Sequence, residues 1–448
     1  MRKHLAALRP QLAWAARASA KEARARDGFR VSVGTPLAYE VSPSADAVLT
    51  APSPHRAATK RRTMLDVLAR DVLEEIGSLG LLRRPLPTES WVHARPSEVR
   101  LLAELDALFA LATPSSGEVA PFDLVTALVD YVADAVTFDP RRVFAAAFTV
   151  SCMRSPVARI LLVELASLAG PRGEIANAFV DAVALGSGPW LDGAVVDAVE
   201  SDPANSLIWL EVARRRRIGH PLFLMLLRHP DPSVVAAVLP IVLRGAPADR
   251  PTIAGVIATL DHGDGVVAVQ AAMCLAMLGA QRGRAQLRAL CSAIVARGAV
   301  EPFEHDAVLG LGLMGESRDV ALLQSLYAIE PALGLSLGLH GYLAHQPLLV
   351  RSADRGDAIA ASALRIMLGT AEAAPPASLA LGARIRGGLA YSSAQSLARL
   401  RDPDARPGER RIAELDYSFV TGQPPHVDLA DWVVRQEEEL GALAEQAR

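Results

Sequence analysis

The amino-acid sequence predicts an all-α protein, and three observations support that prediction. Ala and Leu dominate the 448 residues, hydrophobic residues make up 51% of them, and aromatic residues make up only 5%. Apolar side chains recur at three- and four-residue spacing along most of the chain, which is the spacing of a helix that buries one face. Residues that favour strands are sparse, and short polar joints divide the helical stretches. We therefore expect one long array of packed helices rather than several globular domains.

Residues 1–62 depart from this pattern. Phe29, Val31 and Val33 alternate as in a short strand, and four prolines between residues 36 and 54 prevent a continuous helix. The segment contains 12 Lys and Arg but 4 Asp and Glu, a net charge of +8 that leaves −11 for the rest of the chain. We expect an irregular basic extension that docks partly on the acidic body and whose removal leaves that body folded.

Helical spacing resumes at Met64 and continues, in stretches of about 10–18 residues, to the last residue of the sequence. Asp precedes Pro at positions 139, 202, 231 and 402. An Asp side chain caps the first turn of a helix, and a proline there lacks only an N–H that has no helical partner. These four pairs therefore predict helix starts.

The densest charge run follows a predicted helix over residues 206–213 and consists of Arg214, Arg215, Arg216 and Arg217. Cations at a helix C-terminus complement the helix dipole. One interpretation of the run is a solvated last turn. The other is a binding patch for an acidic partner or a phosphate, and these four arginines are the candidate binding residues.

Two later joints can be overlaid directly. His229-Pro230-Asp231-Pro232 matches His262-Gly263-Asp264-Gly265, with the two aspartates 33 residues apart. A histidine at the same position of consecutive joints indicates a local hydrogen bond to the turn. The second helix of this overlay ends on Leu278-Gly279 after several small residues, which allow neighbouring helices to approach closely.

A glycine-rich run, Gly310-Leu311-Gly312-Leu313-Met314-Gly315, matches the dinucleotide fingerprint G-x-G-x-x-G. That fingerprint requires a buried strand before its first glycine, and residues 301–306, EPFEHD, are too polar to form one. The run predicts instead a glycine-tolerant helix that ends at Gly315. No cofactor is expected.

After Gly315 the sequence continues Glu-Ser-Arg-Asp and then Val-Ala-Leu-Leu-Gln-Ser-Leu, with Arg318 in the turn. Residues 311–326 thus resemble the bacterial form of the HEAT-type repeat. In that form a helix closes on Leu-Gly-x-Leu-Gly, an acid and an Arg occupy the turn, and Val-x-x-Leu-x-x-x-Leu opens the next helix. The helix before Gly279 resembles the inner helix of the family, but it has Ala268 where the family usually carries Arg. The resemblance is good over roughly residues 225–330 and absent before residue 63.

This resemblance implies a HEAT-like helical-repeat solenoid over residues 63–425, preceded by the irregular extension and closed by a capping helix at 426–448. Its joints would include Asp231, Pro232, Asp264, Gly279, Gly315 and Arg318. The resemblance also implies a non-catalytic protein–protein interaction scaffold, because stacked helix pairs expose a long ridge of alike side chains. A more distant resemblance is to uncharacterised HEAT-like proteins of GC-rich proteobacteria, some of them encoded beside type VI secretion genes.

Residues with chemical reactivity form no motif. Cys152, Cys274 and Cys291 lie in apolar helical runs without a C-x-x-C spacing, as buried thiols in a reducing compartment do. His340 and His345 are five residues apart, so on one helix they would point about 140° apart and share no metal. We expect no metal ion, no cofactor and no catalytic residue.

A catalytic HEAT-like solenoid is the alternative, either a lyase-like helper for protein modification or a DNA-repair glycosylase-like nucleic-acid binder. It would show a buried acid with a perturbed pKa in a concave cleft. Nucleic-acid binding is not expected, because the body is acidic and Trp91, Trp190 and Trp209 are dispersed.

The sequence predicts a cytoplasmic protein with protein partners and no membrane span. No apolar run approaches 18 residues, and the N-terminus lacks the apolar core of a secretory signal. Its Arg and Ala content also resembles an organelle transit peptide, but Glu22 and Asp27 interrupt that pattern.

Overall fold

A computed structural model describes residues 56–112, 123–133, 139–170, 172–245, 250–369, 384–425 and 427–446. Within these ranges the chain is all-α, as the sequence predicts, and one hairpin of two-residue strands accompanies 21 α-helices. The strand expected at Phe29 to Val33 lies outside the described residues. The first helix of the described residues begins at Arg56, so the boundary predicted at residue 62 falls inside that helix.

The chain forms two compact units, and residues of the predicted array belong to both. Unit 1 comprises the chain up to Ile218 together with Asp428–Glu439, and unit 2 comprises Gly219–Val427 and the residues from Leu440 onward. The helices of unit 1 are α1 (Arg56–Leu82), α2 (Ala94–Ala112), α3 (Leu124–Ala133), α4 (Pro140–Cys152), α5 (Pro156–Ala169), α6 (Glu174–Leu185), α7 (Leu191–Ser201) and α8 (Ser206–Arg216).

Alternate helices of unit 1 pack against each other. Helix α4 contacts α1 on one side and α6 on the other, and α6 also contacts α8. Their shared interface contains the largest buried side chains of the unit. Phe144 and Phe148 of α4 stack at 5.7 Å, and Phe179 of α6 meets Trp209 of α8 edge to face at 5.4 Å. Aromatic pairs at such separations add to the apolar burial that holds the helices together.

Unit 2 contains the remaining helices and the hairpin. They are α9 (Pro221–Leu226), α10 (Pro232–Gly245), α11 (Arg250–Ala258), α12 (Gly265–Met277), α13 (Gln281–Arg297), α14 (His305–Met314), α15 (Val320–Ile329), α16 (Gly334–His340), α17 (Gln346–Ala353), α18 (Ala358–Leu368), β1 (Ile385–Arg386), β2 (Leu389–Ala390), α19 (Ser393–Arg401) and α20 (Pro407–Thr421). The last helix, α21 (Val433–Gln446), begins in the part of the chain assigned to unit 1 and ends in unit 2.

Helices of unit 2 also contact every second neighbour. Helices α10, α12, α14, α16 and α18 pack one after another, while α13 packs on α12, α14 and α15. Helix α20 lies across α12 and α14. The two strands pair antiparallel, with Ile385 opposite Ala390 and Arg386 opposite Leu389.

Glycine allows the closest of these helix contacts. A Cβ on Gly312 of α14 would lie 2.5 Å from the carbonyl oxygen of Ser336 in α16, and a Cβ on Gly338 of α16 would lie 2.6 Å from that of Ala363 in α18. No real side chain fits at such distances. The backbones of α14, α16 and α18 therefore touch directly.

Aspartate side chains cap two of the four helix starts predicted from Asp-Pro pairs, those at Asp139 and Asp231. Asp139 accepts a hydrogen bond from the N–H of Arg141 and is an N-cap as predicted, and Asp264, predicted only as a joint residue, is an N-cap that accepts from Val266 and Val267. Asp231 accepts from the N–H of Ser233 at 2.8 Å, one residue after Pro232. A 3-10 turn follows Asp202.

The helix start predicted at Asp402-Pro403 is wrong. Residues 403–404 form a turn, and α20 begins only at Pro407. Asp402 accepts a hydrogen bond from the N–H of Asp404, which closes a local turn in place of a helix.

Among the described residues no helix has both the length and the apolar character needed to cross a membrane.

Replacement of Gly315 by Val is expected to destabilise the protein by about 1 kcal/mol or more. Gly315 ends α14 with φ +61°, and an added Cβ would also collide with the guanidinium of Arg384. Urea unfolding followed by circular dichroism measures the loss. Gly298→Val is the matched control, because Gly298 has φ +74° but no atom within 4 Å of an added Cβ. Equal losses in the two variants would contradict the packing part of this explanation, and no loss in either would contradict both parts.

Candidate functional site

Each arginine of the Arg214–Arg217 run pairs with an acid of unit 1. Their partners are Glu211 for Arg214, Asp181 and Asp428 for Arg215, Asp192 for Arg216, and Glu439 for Arg217. Arg215 is 7% exposed, so its guanidinium is not solvated as the first interpretation expected. The four arginines therefore form an ion-pair network within the chain. Of its five acids, Glu211 lies in α8 and Asp192 in α7, and the other three lie in more distant parts of the sequence.

Arg216 and Arg217 at the end of α8 bind different parts of unit 1. Arg217 adopts φ +56°, the left-handed conformation that ends α8, and its side chain forms two bonds of 2.8 and 2.9 Å to Glu439. Arg216 donates to the carbonyl oxygens of Val183, Ala184 and Gly186 at the end of α6. Arg216 therefore supplies donors for carbonyl oxygens at the C-terminal end of a neighbouring helix.

Residues 428–433 are held by side chains from several helices of unit 1. Trp432 is 1% exposed, its indole N–H donates to the carbonyl oxygen of Leu185 at 3.2 Å, and its ring lies 6.0 Å from Phe148. Arg83, which follows α1, lies 5.6 Å from the Trp432 ring and donates to the carbonyl oxygens of Ala430 and Asp431 at 3.0 Å. We name this arrangement the Trp432 site: Arg83, Glu98, Phe148, Leu185 and Arg215, which contact residues 428–433.

Charges within the Trp432 site are balanced. Arg83 pairs with Glu98 at 3.0 Å, and Glu98 also accepts the N–H of Val433 at 2.9 Å. Burial lowers the pKa of Arg83, and Glu98 opposes that shift. Burial raises the pKa of Asp428, but Arg215, the N–H of Ala430 and Arg214 together outweigh this effect and leave that pKa below its ordinary value. Sequence reasoning missed this site because its parts lie more than 200 residues apart.

Unit 2 contains a second buried arginine cluster next to the hairpin. Arg384 and Arg386 donate to carbonyl oxygens at the ends of α14 and α16, and Arg386 also binds Asp416 of α20 at 2.8 Å. Burial raises the pKa of Asp416, and Arg386 and Arg384 oppose that shift. Asp416 has the buried position and raised pKa expected of a catalytic acid, but it is the ion-pair partner of Arg386. Arg384 covers the ring of Tyr391 at 3.9 Å.

His340 and His345 form a direct buried contact, contrary to the 140° separation expected on one helix. That expectation was wrong because α16 ends at His340, Gly341 has φ +77°, and Leu343–His345 form a 3-10 turn. The Nδ1 of His340 lies 2.9 Å from Nε2 of His345, and both side chains are fully buried.

The tautomers of this histidine pair follow from its neighbours. Nε2 of His340 lies 3.0 Å from the carbonyl oxygen of Glu316, which can only accept, so Nε2 carries the hydrogen. Nδ1 of His340 must then accept from Nε2 of His345. Burial, together with smaller effects of His345 and Arg384, lowers the pKa of His340 to about 3, and burial lowers the pKa of His345 to about 4. The pair is neutral and pins the turn after Gly315 to the end of α16.

Acids and arginines connect successive joints of unit 2. Arg288 of α13 binds Asp319 at 2.7 Å and Glu316 at 2.7 Å, and Arg284 reaches Glu316 at 3.4 Å. Arg318 pairs with Glu316 inside its own turn at 2.7 Å. These pairs tie α13 to the turn between α14 and α15.

The joint histidines behave as predicted. Nδ1 of His229 accepts from the N–H of Asp231 at 3.1 Å, and Nδ1 of His262 accepts from the N–H of Asp264 at 3.0 Å. Gly279 follows α12 with φ +73° and lies beside Gly422. These histidines are therefore parts of turns.

The cysteines and the glycine-rich run occupy structural positions inside helices. Cys152, Cys274 and Cys291 are buried, and burial raises their pKa values to about 11, 12 and 12. Gly310 and Gly312 lie inside α14, so no strand precedes the G-x-G-x-x-G run. In the part of the chain that the structure describes, no group of three His, Cys, Asp or Glu is arranged to hold a metal ion.

A cavity of about 340 Å³ lies between α1 and α3 in unit 1. Its polar lining contains three carboxylates and one guanidinium: Asp66, Asp123, Asp130 and Arg70, with Thr126 and Tyr131.

Comparison with known proteins gives no relative: no family model, no curated protein and no solved structure matches this chain.

The histidine pair predicts a loss of stability in mild acid. Because the folded pKa values lie below the ordinary value of about 6.5, the unfolded chain binds more protons as the pH falls from about 6.5 to about 4. The free energy of unfolding should fall by up to about 1.4 kcal/mol per pH unit for each histidine in that window. Urea unfolding of wild type and of the double variant His340→Gln, His345→Gln across this range is the measurement. The double variant should show a flatter profile, and a double variant as steep as wild type would contradict the assignment.

The ion pairs of Arg288 predict that Arg288→Gln destabilises the protein by about 1–3 kcal/mol, because it leaves buried Asp319 without its cation. Arg282→Gln is the control, since Arg282 is exposed on the same helix and should change stability by less than about 0.5 kcal/mol. Thermal melting of both variants measures the difference. Indistinguishable melting temperatures would mean that the Arg288 pairs contribute nothing.

Proposed function

We propose that this chain is a HEAT-like α-solenoid that acts as a non-catalytic protein–protein interaction scaffold. The observation that carries the proposal is the alternation of helix contacts in unit 2. Helices α10, α12, α14, α16 and α18 pack in succession as one row, and α13 packs on α15 in a second row. Two rows of helices connected by short turns are what stacked helix pairs produce.

Repetition of joint chemistry supports the same proposal. His229 and His262 make the same hydrogen bond 33 residues apart, each beside an aspartate that starts a row helix. Contacts also link consecutive pairs, as Arg288 binds Asp319 and His305 lies 3.1 Å from Glu330. A repeating unit that contacts only its neighbours would be stabilised in this way.

The partner surface that we propose is the edge formed by the first turns of the row helices in unit 2. Val266 follows the N-cap Asp264 by two residues, and Ile359 follows the N-cap Asp357 by two residues. Each is 39% exposed. Apolar side chains exposed at equivalent positions of a repeat are suited to contact with another protein. The three buried thiols fit a reducing compartment and support a cytoplasmic location.

Site-specific photo-crosslinking tests this proposal. A benzophenone amino acid at position 266 or 359 of the full chain should capture the same protein from cells, identified by mass spectrometry. Ala289, exposed on second-row helix α13, provides the control position and should not capture that protein. The proposal fails if positions 266 and 359 share no captured protein beyond those captured from position 289.

A further inference from the structure

Residues 428–433 are bound to the rest of unit 1 in the manner of a peptide ligand. Only two of their side chains, Asp428 and Trp432, are bonded by groups of the Trp432 site. Every other bond that the site forms with this stretch reaches main-chain atoms: the carbonyl oxygens of Ala430 and Asp431 and the N–H of Val433. Recognition of main chain with two side-chain anchors is how proteins bind short peptides.

The residues that bind the segment lie at the ends of helices α1, α6 and α8. Leu185 is the last residue of α6, Arg215 lies in the last turn of α8, and Arg83 directly follows α1. The ends of helices carry carbonyl oxygens without helical partners, and one of these accepts the indole N–H of Trp432. The segment is distant in sequence from the residues that bind it. Asp428 follows Arg215 by 213 residues, and Asp431 follows Arg83 by 348 residues.

Removal of the segment would leave the site incomplete. Arg83 and Arg215 would lose three carbonyl bonds and the Asp428 carboxylate, and Phe148 would lose its contact with the Trp432 ring. Arg83 and Arg215 would keep Glu98 and Asp181 as ion-pair partners, but the loss of their other acceptors and the uncovered aromatic ring would both raise the free energy of the empty site. The site therefore favours an occupant with the same chemistry.

We propose that the Trp432 site is a peptide-binding site, which the chain fills with its own residues 428–433 and which accepts partner peptides of the same chemistry. Its ligand is an acidic residue followed four positions later by tryptophan, as in Asp428-Leu429-Ala430-Asp431-Trp432. This inference rests on the proposed function and deepens it by naming a partner class. The chain's own segment acts as a competitor, because a tethered ligand has an effective concentration on the order of millimolar.

A fluorescein-labelled peptide of residues 427–439, titrated into the full chain, tests the proposal by fluorescence anisotropy. Trp432→Ala in the chain removes the anchor of the competitor, so this variant should bind the peptide at least about tenfold more tightly than wild type does. The control variant Glu438→Gln changes an exposed residue of α21, outside residues 428–433, and should bind as wild type does. A peptide that itself carries Trp432→Ala should not bind any of the three proteins.

Hydrogen exchange on the wild-type chain covers the case in which Trp432→Ala does not fold. Excess unlabelled peptide should accelerate exchange at the amides of residues 430–436 by displacing them and leave exchange in α6 unchanged. Absence of peptide binding to a folded Trp432→Ala variant would overturn the proposal, and so would unchanged exchange in wild type. Concentration-dependent dimers without peptide binding would overturn it in favour of exchange between two copies. The crosslinking experiment probes positions 266 and 359 of unit 2, whereas the peptide experiment probes the Trp432 site of unit 1. Failure of one experiment can therefore be distinguished from failure of the other.

Discussion

Direct contact between the backbones of alternate helices is the constraint on which the described structure of unit 2 depends. Gly312 faces Ser336, and Gly338 faces Ala363, at distances that exclude any side chain. Such contact fixes how far apart α14, α16 and α18 lie, and it thereby sets where their C-terminal carbonyls are presented. Arg384 can bind the carbonyl oxygens of Leu313 and His340 together only because these helix ends lie at that spacing.

In both units, arginines bind segments from the C-terminal part of the chain next to helix ends. In unit 1, Arg83 and Arg215 hold residues 428–433, and the indole of Trp432 satisfies the last carbonyl of α6. In unit 2, Arg386 binds Asp416 of α20 as well as the end of α16. Unsatisfied helix carbonyls attract cations and donors, so the same chemistry recurs in both units.

Local features could be predicted from the sequence because nearby residues decide them. The N-cap of Asp264, the bond of His262 and the left-handed turn at Gly315 all depend on the next few residues. The pairing of His340 with His345 was missed because a helix was assumed to continue through Gly341. The roles of Arg215 and Trp432 depend on partners hundreds of residues away, which spacing along the sequence does not reveal.

The substitution Gly338→Ala, measured by hydrogen exchange and urea unfolding, tests the central constraint most directly. Helix propensity alone would make this change within α16 stabilising by roughly 0.5–1 kcal/mol. Backbone contact predicts the opposite sign, with protection falling together in α16 and α18, because the new Cβ meets the carbonyl oxygen of Ala363 at 2.6 Å. Gly408→Ala, where no atom lies within 4 Å of the added Cβ, should leave both helices protected. A stabilised Gly338→Ala protein, or a loss of protection confined to α16, would contradict the account.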